Sequence, residues 1–365
     1  MTTRLTSLAA AGLLTAAIVV GAACGGDERA EAQTTPAPTR TLTLEQAVGQ
    51  RLVTGYRGAK PTVSVLKAVR EGRVGGVILF ADNVPTVAKA KAAITLLQQA
   101  AASLDQPPLL VMIDQEGGDV KRIPSFPPTM TPARMGISGG PASTAEGQGL
   151  ATGTMLRSIG VNVDLAPVAD VPDAKDSFLG KRAFSRNPKT AAVAACGFVD
   201  GLQRASVAGT LKHFPGLGRA RGNTDLQRVR VAATGEQLTA DLAPYDRCAA
   251  RASLVMMSSA TYPALGLANP AVLDPKAYAL LGQRGFAGLT ISDAFDTPAI
   301  NGRKDAAVRA TKAGLDLLLY GQNERGARLA YERLLVETKA GRLDPAAAQA
   351  TAAGVVALKD RLAAG

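Results

Sequence analysis

The stretch LLVMID, residues 109–114, is five apolar residues closed by a carboxylate. Apolar residues in an unbroken short run, rather than in alternation, mark a strand buried on both faces of a parallel sheet. Seven more such runs follow the same plan: RLVTGY (51–56), GGVILF (75–80), VNVDLAPV (161–168), GTLKHF (209–214), SLVMMSSA (253–260), GLTISDAF (288–295) and DLLLYG (316–321). Between them lie Ala-rich amphipathic stretches that predict helices at 61–72, 85–103, 144–158, 189–206, 236–251, 274–283 and 304–314, with two more at 324–341 and 345–363. Eight strand–helix alternations predict an α/β protein with a (β/α)8 TIM barrel, a single domain over residues 41–365. A doubly wound open sheet is the alternative. It would want a Gly-rich phosphate turn after the first strands, and the chain has none there.

In a barrel of this kind, chemistry sits where strands end and loops begin. The polar residues at those ends are Asp114, Asp170, Lys212, His213, Ser258, Ser259 and Asp293. So many polar groups on one rim fit a purely structural barrel poorly.

Composition narrows the partners. The formal charge is +11, but the basic residues are dispersed, without a Lys/Arg run or an aromatic-flanked basic stripe. A nucleic-acid partner is therefore not expected. Aromatics make up 4% of the chain and Trp is absent, which argues against a platform for long sugar chains and for a small pocket lined by polar groups. A single histidine and three cysteines scattered over the chain give no metal-ligand cluster, so no metal site is expected.

The front end has its own character. Residues 1–23 combine a short basic start, an apolar middle and small residues before a break, as in an export signal. Cys24, directly after Gly-Ala-Ala, resembles a bacterial lipoprotein cleavage site, although Gly21 stands where such sites usually have Leu. That resemblance implies lipidation at Cys24, a flexible tether over 24–40 and a membrane anchor on the outer face of the cell membrane. A plain secretory signal or an uncleaved anchor is the alternative. Cys196 and Cys248 lie in stretches read as helices; they could pair outside the cytoplasm, or remain as two buried thiols.

Three segments, IDQEGGDVKRIP (113–124), KHFPGLG (212–218) and ISDAF (291–295), carry a resemblance to a known family. With GGVILF (75–80), DLAPVADV (164–171) and GKRAFSRNP (180–188), they resemble glycoside hydrolase family 3, and within it the single-domain bacterial β-N-acetylhexosaminidases. The resemblance implies a TIM barrel that works without a cofactor and removes terminal β-linked N-acetylglucosamine with retention; a monomer is expected. It assigns Asp293 as the nucleophile that forms a glycosyl ester. It assigns Asp114 to the sugar hydroxyls, and Arg122, Arg182, Lys212 and His213 to the rest of the sugar pocket. Glu116 is read as structural, and Asp170 as orienting its neighbours. For an exported member the implied substrates are wall fragments that contain N-acetylglucosamine.

Two positions depart from the family's pattern. Asp119 stands where the family usually has Arg. In the loop after the fifth strand, where the family carries Asp and, two places on, the acid/base His, this chain has Asn223, Thr224 and Asp225, and the other loop histidine is Leu217. Asp225 is the candidate acid/base. An unperturbed Asp is protonated in only about one molecule in a thousand at pH 7, so the role needs a raised pKa. Burial in the loop and the charge of Asp293 would raise it; Lys212, Arg219, Arg221 and a hydrogen bond donated by Asn223 would lower it. The alternatives are a non-catalytic sugar-binding lipoprotein that kept the pocket, and a β-glucosidase-like member.

Overall fold

A computed structural model describes residues 41–174 and 177–364. The expected export signal, the lipidated Cys24 and the tether lie outside these residues. The eight barrel strands coincide with the eight apolar runs, β5 starting one residue earlier than its run: β1 Leu52–Thr54, β2 Gly76–Leu79, β3 Leu110–Ile113, β4 Val163–Asp164, β5 Ala208–Phe214, β6 Leu254–Met257, β7 Leu289–Ser292 and β8 Leu318–Tyr320. From β1 to β7 each pairs in parallel with the next in sequence, and β1 pairs with β8 through Leu52 and Leu318. A parallel bridge between Ile291 and Leu317, with Ser292 N–H donating to the Leu317 carbonyl at 3.0 Å, joins β7 to the stretch before β8 and closes the barrel.

Strand periodicity sorts the side chains into two layers. Val53, Ile78, Leu110, Met112, Val163, Leu254, Met256, Ile291, Leu317 and Leu319 pack together inside the barrel. Their neighbours Leu52, Val77, Leu79, Val111, Ile113, Val255, Met257 and Leu318 pack outward against the helices. The strands are mostly apolar because both of their faces are buried, and their polar residues, such as Asp164, Lys212 and His213, lie towards their C-terminal ends.

The last helix, Pro345–Ala364, adds Val355, Leu358 and Leu362 to the interior cluster. Lys359 on the same helix is buried and reaches Gln50 Oε1, just ahead of β1, at 2.5 Å. The helix thus stoppers the end of the barrel where the strands begin, and the opposite end is left open.

The helices differ from the sequence expectation in detail. The stretch 236–251 is broken into Gly235–Asp241 and Ala243–Cys248, because Pro244 lacks the N–H that a continuous helix needs. The run 161–168 yields a strand of only two residues, since Pro167 cannot donate to a ladder; Val168 then makes a single bridge to Lys212. Cys196 and Cys248 form a disulfide with Cα atoms 5.7 Å apart, linking two neighbouring helices.

Replacing Leu358, which is 2% exposed, by Ala should cost about 2–5 kcal/mol because a cavity opens in the stopper. The same urea titration on Val336→Ala, a position 54% exposed, should show a change within about 0.5 kcal/mol. Equal losses at both positions would contradict this packing.

Candidate active site

The alternation that builds the barrel also aims the site. Inward positions on β3 are 110 and 112, so the next inward residue, past the strand end, is Asp114. On β7 the inward Ile291 is followed two places on by Asp293. Both carboxylates therefore project over the apolar floor formed by Ile78, Leu165, Met256 and Leu319. Lys212 and His213 are adjacent on β5 and would ordinarily face opposite ways. The register of β5 against β6 shifts between Lys212 and Phe214, and both side chains line the same cavity. That cavity has a volume of about 460 Å³, within the usual range of small-ligand sites. Asp114, Arg122, Arg182, Lys212, His213, Asp225 and Asp293 all line it.

A charge network fixes the floor of the site. The Lys212 ammonium, almost wholly buried, lies 2.8 Å from Asp114 Oδ1 and 2.6 Å from Glu116 Oε1. Arg182 donates to both Glu116 oxygens, at 2.7 and 2.9 Å. Arg122 reaches the second Asp114 oxygen at 3.3 Å and stacks over the Phe80 ring at 5.5 Å. Burial alone would raise the Asp114 carboxyl; Lys212 and then Arg122 outweigh it and hold the group down at about 2. Glu116 is held below its ordinary value in the same way, by Lys212 and Arg182 against burial. Lys212 is correspondingly raised, as its two carboxylates overcome its own desolvation. Between Glu116 and the returning strand Val120–Lys121, Gly117 and Gly118 adopt φ of 96° and 63°, conformations that side chains rarely take. Asp119 is exposed at the tip of this hairpin.

A second pair stands beside the first. His213 Nδ1 lies 2.7 Å from Asp170 Oδ2, while Asp170 Oδ1 accepts the backbone N–H groups of His213 at 3.1 Å and Leu217 at 2.6 Å. Burial opposes the Asp170 charge, but His213 and these donors hold its carboxyl below the ordinary range. With Nδ1 engaged by a carboxylate, Nε2 is the ring nitrogen left for the cavity.

Asp293 is the contrasting acid. Burial raises its carboxyl above the ordinary range; His213 pulls it down, and Asp225 pushes it up again. Its Oδ1 accepts only the backbone N–H of Ala294, at 2.8 Å, so it has no strong cation of its own.

The loop after β5 corrects three of the sequence expectations about Asp225. Asp225 is exposed at the cavity edge rather than buried. Asn223 donates nothing to it; instead Asn223 Oδ1 accepts the Asp225 backbone N–H at 2.9 Å, a turn typical of Asn. Arg219 and Arg221 are engaged elsewhere, bidentately, with Asp241 and with Asp173. These two pairs fasten the loop on which Asp225 sits.

Sequence reasoning left Glu116 as structural, although it touches Lys212, Arg182 and the cavity. It also passed over Arg57, Phe178, Asp296, Thr297 and Gln322 at the mouth, which lie in loops with no distinguishing pattern. Among the described residues no group of His, Cys, Asp and Glu could hold a metal ion.

A barrel with an acid-lined mouth of this kind belongs with the sugar hydrolases, and the comparisons give the family. The family description "Glycosyl hydrolase family 3 N terminal domain" matches residues 43–358, and the chain belongs to glycoside hydrolase family 3. It is similar to an uncharacterized secreted glycosyl hydrolase of Arthroderma benhamiae, at 32% identity over 90% of this chain and 96% of that one. It is 30% identical to the β-hexosaminidase LpqI of Mycobacterium tuberculosis over 87% of this chain and 83% of that one. Among solved structures, a family 3 β-N-acetylglucosaminidase from Paenibacillus superposes with a TM-score of 0.83 at 31% identity; the match covers 88% of this chain and 63% of that one. The protein is therefore a glycoside hydrolase with the barrel that its sequence predicts.

Removing the buried cation leaves two buried carboxylates facing each other. Lys212→Met should lower stability at neutral pH by about 3–5 kcal/mol. Asp114 sits lower in the folded state than its ordinary 3.8, so its contribution is present above that value and lost as pH falls through about 2. The gap between wild type and Lys212→Met in urea titrations should therefore shrink as pH falls from about 4 towards 2. A variant as stable as wild type at pH 7 would contradict the network.

Proposed function

We propose that the protein is an exo-acting, retaining β-N-acetylhexosaminidase that removes terminal β-linked N-acetylglucosamine. The observation that carries this reading is the single cavity in which Asp114, Lys212, His213 and Asp293 converge, with Asp225 at its edge. A pocket with one blind end suits a chain terminus rather than the middle of a polymer. Asp114 accepts hydrogen bonds from sugar hydroxyls, fixed in place by Lys212 and Arg122. A carboxylate held this low stays ionised and keeps its acceptor capacity as charge develops on the ring. Arg182 and His213 complete the sugar pocket.

Asp293 attacks the anomeric carbon. The C1–O bond to the leaving group breaks as the ester to Asp293 forms, and the leaving oxygen takes a proton from the acid. Water then cleaves the ester, giving its proton to the same group. Asp293 must be ionised to attack, and its raised carboxyl places the acidic limb of the rate profile above the range of an ordinary Asp. Asp225 is the acid/base in this reading, since it is the carboxyl on the loop that borders the leaving-group side. A second reading gives the proton transfer to His213, favoured by its 2.7 Å contact with the buried Asp170.

Export fits both the secreted relative and the Cys196–Cys248 disulfide, which belongs to an oxidising compartment. We include in the proposal a lipid anchor on Cys24 and wall fragments containing N-acetylglucosamine as substrates. The protein acts as a monomer in this reading.

The test compares an aryl N-acetylglucosaminide, the matching aryl glucoside and an N-acetylglucosamine disaccharide. The aryl N-acetylglucosaminide should be the better aryl substrate, and turnover of neither would point to a sugar-binding protein. Asp225→Ala should slow the disaccharide by about 10²–10⁴-fold, the worth of general acid catalysis. The aryl substrate, with its better leaving group, should suffer far less. If Asp225→Ala slows neither and His213→Gln slows the disaccharide selectively, the proton comes from His213.

A further inference from the structure

Asp164, the last residue of β4, is fully buried, and its place links it to the site without touching the cavity. Its Oδ1 accepts the backbone N–H of Gln115 at 2.9 Å, and its Oδ2 is buried with no partner. Gln115 is the residue between Asp114 and Glu116, the two acids that grip Lys212. The Gln115 side chain is tied on its other side: Nε2 donates to the carbonyls of Ile123 and Pro127, both at 2.9 Å, and Oε1 accepts from Ile123 N–H at 3.0 Å. The peptide that joins the two acids is thus held at its N–H by Asp164 alone.

The charged groups that face Asp164 are Lys212 from β5 and Asp114 and Glu116 from the segment after β3, with Arg182 beyond Glu116. Burial is the main force that raises its carboxyl. The Gln115 N–H and Lys212 oppose it, Asp114 and Glu116 assist it, and the group is pushed up to about 8. At neutral pH Asp164 is therefore a neutral acid beneath a cluster in which Asp114 and Glu116 balance Lys212 and Arg182. A third buried negative charge would compete for Lys212 and unbalance that cluster.

We propose that Asp164 is a positioning residue for hydrolysis: its Oδ1 fixes the Gln115 peptide, and so sets Asp114 and Glu116 around Lys212, and a negative charge at its buried, unpartnered Oδ2 disturbs that setting and limits activity at alkaline pH. This rests on the hydrolase reading above. Asp164→Asn keeps the acceptor for Gln115 and removes the titration; Asp164→Leu removes the acceptor as well.

The experiment measures kcat and KM on an aryl N-acetylglucosaminide from about pH 5 to pH 10, a range that spans the raised value of about 8, with both variants and wild type. Asp164→Asn should match wild type at neutral pH and keep activity at high pH where wild type loses it. Asp164→Leu should lose about tenfold or more in kcat/KM at all pH values, mainly through KM, because the sugar-holding Asp114 is misplaced. Should Asp164→Leu fail to fold, thermal melts of the Asn variant decide. The folded wild type keeps a proton that the unfolded chain releases near 3.8, so its stability falls as pH rises from there to about 8. Asp164→Asn should therefore gain in Tm over wild type between pH 5 and pH 9. An active wild type whose alkaline limb is unchanged in Asp164→Asn overturns this proposal alone; a wild type inactive on every sugar overturns the hydrolase reading as well.

Discussion

One buried ammonium organises the open end of this barrel. Lys212 sits between Asp114 at 2.8 Å and Glu116 at 2.6 Å, almost out of contact with water. Burying a charge costs several kcal/mol unless partners surround it, and here each ion is the condition for the next. Lys212 permits Asp114 and Glu116 to be ionised in a dry place; Glu116 in turn holds Arg182 by two hydrogen bonds. The result is a polar surface, cross-linked by ion pairs, in which Asp114 and Glu116 both line the cavity. A site that must hold a neutral sugar firmly benefits from groups that do not have to be reorganised when it arrives.

The barrel supplies the register. Because inward residues recur every second position, Leu110 and Met112 commit Asp114 to the interior, and Ile291 commits Asp293. The two carboxylates then meet over one apolar floor with opposite environments. Asp114 has Lys212 and Arg122 and is held low; Asp293 has only the Ala294 N–H as a hydrogen-bond donor and is raised by burial. In the proposed reaction one acid holds hydroxyls and the other reacts. At the closed end, Leu358 and Leu362 fill the barrel, so the cavity opens to one side only.

Most of this frame was legible in the sequence, for a physical reason. Buried parallel strands must be apolar on both faces, which makes them stand out as short runs, and a polar residue at such a run's end has to be accounted for. Asp114, Lys212, His213 and Asp293 were found that way. Glu116 was not, because its meaning lies in a contact with Lys212, 96 residues along the chain, and nothing local marks it. The Cys196–Cys248 bond spans 52 residues and was open for the same reason. Asp164 lies within a run that reads as a strand, and only its burial beneath Gln115 separates it from an ordinary polar position. The loop at 219–228 misled in detail: the charges expected to act on Asp225 are spent on Asp173 and Asp241, and the Asn223 side chain serves the backbone.

The loop leaves the chemistry with an unusual division of labour. The histidine that the family resemblance places at position 225 is absent, Asp225 stands there instead, and His213 is tied to Asp170. Whatever group passes the proton, the proposed reaction stands or falls with a covalent bond at the end of β7. The most direct measurement uses a 5-fluoro N-acetylglucosaminyl fluoride, which slows both steps but forms the ester rapidly through its good leaving group. Mass spectrometry of the digested protein should find one sugar attached to the peptide that carries Asp293. A label on any other residue, or turnover of chromogenic substrate by Asp293→Ala at the wild-type rate, would contradict the account.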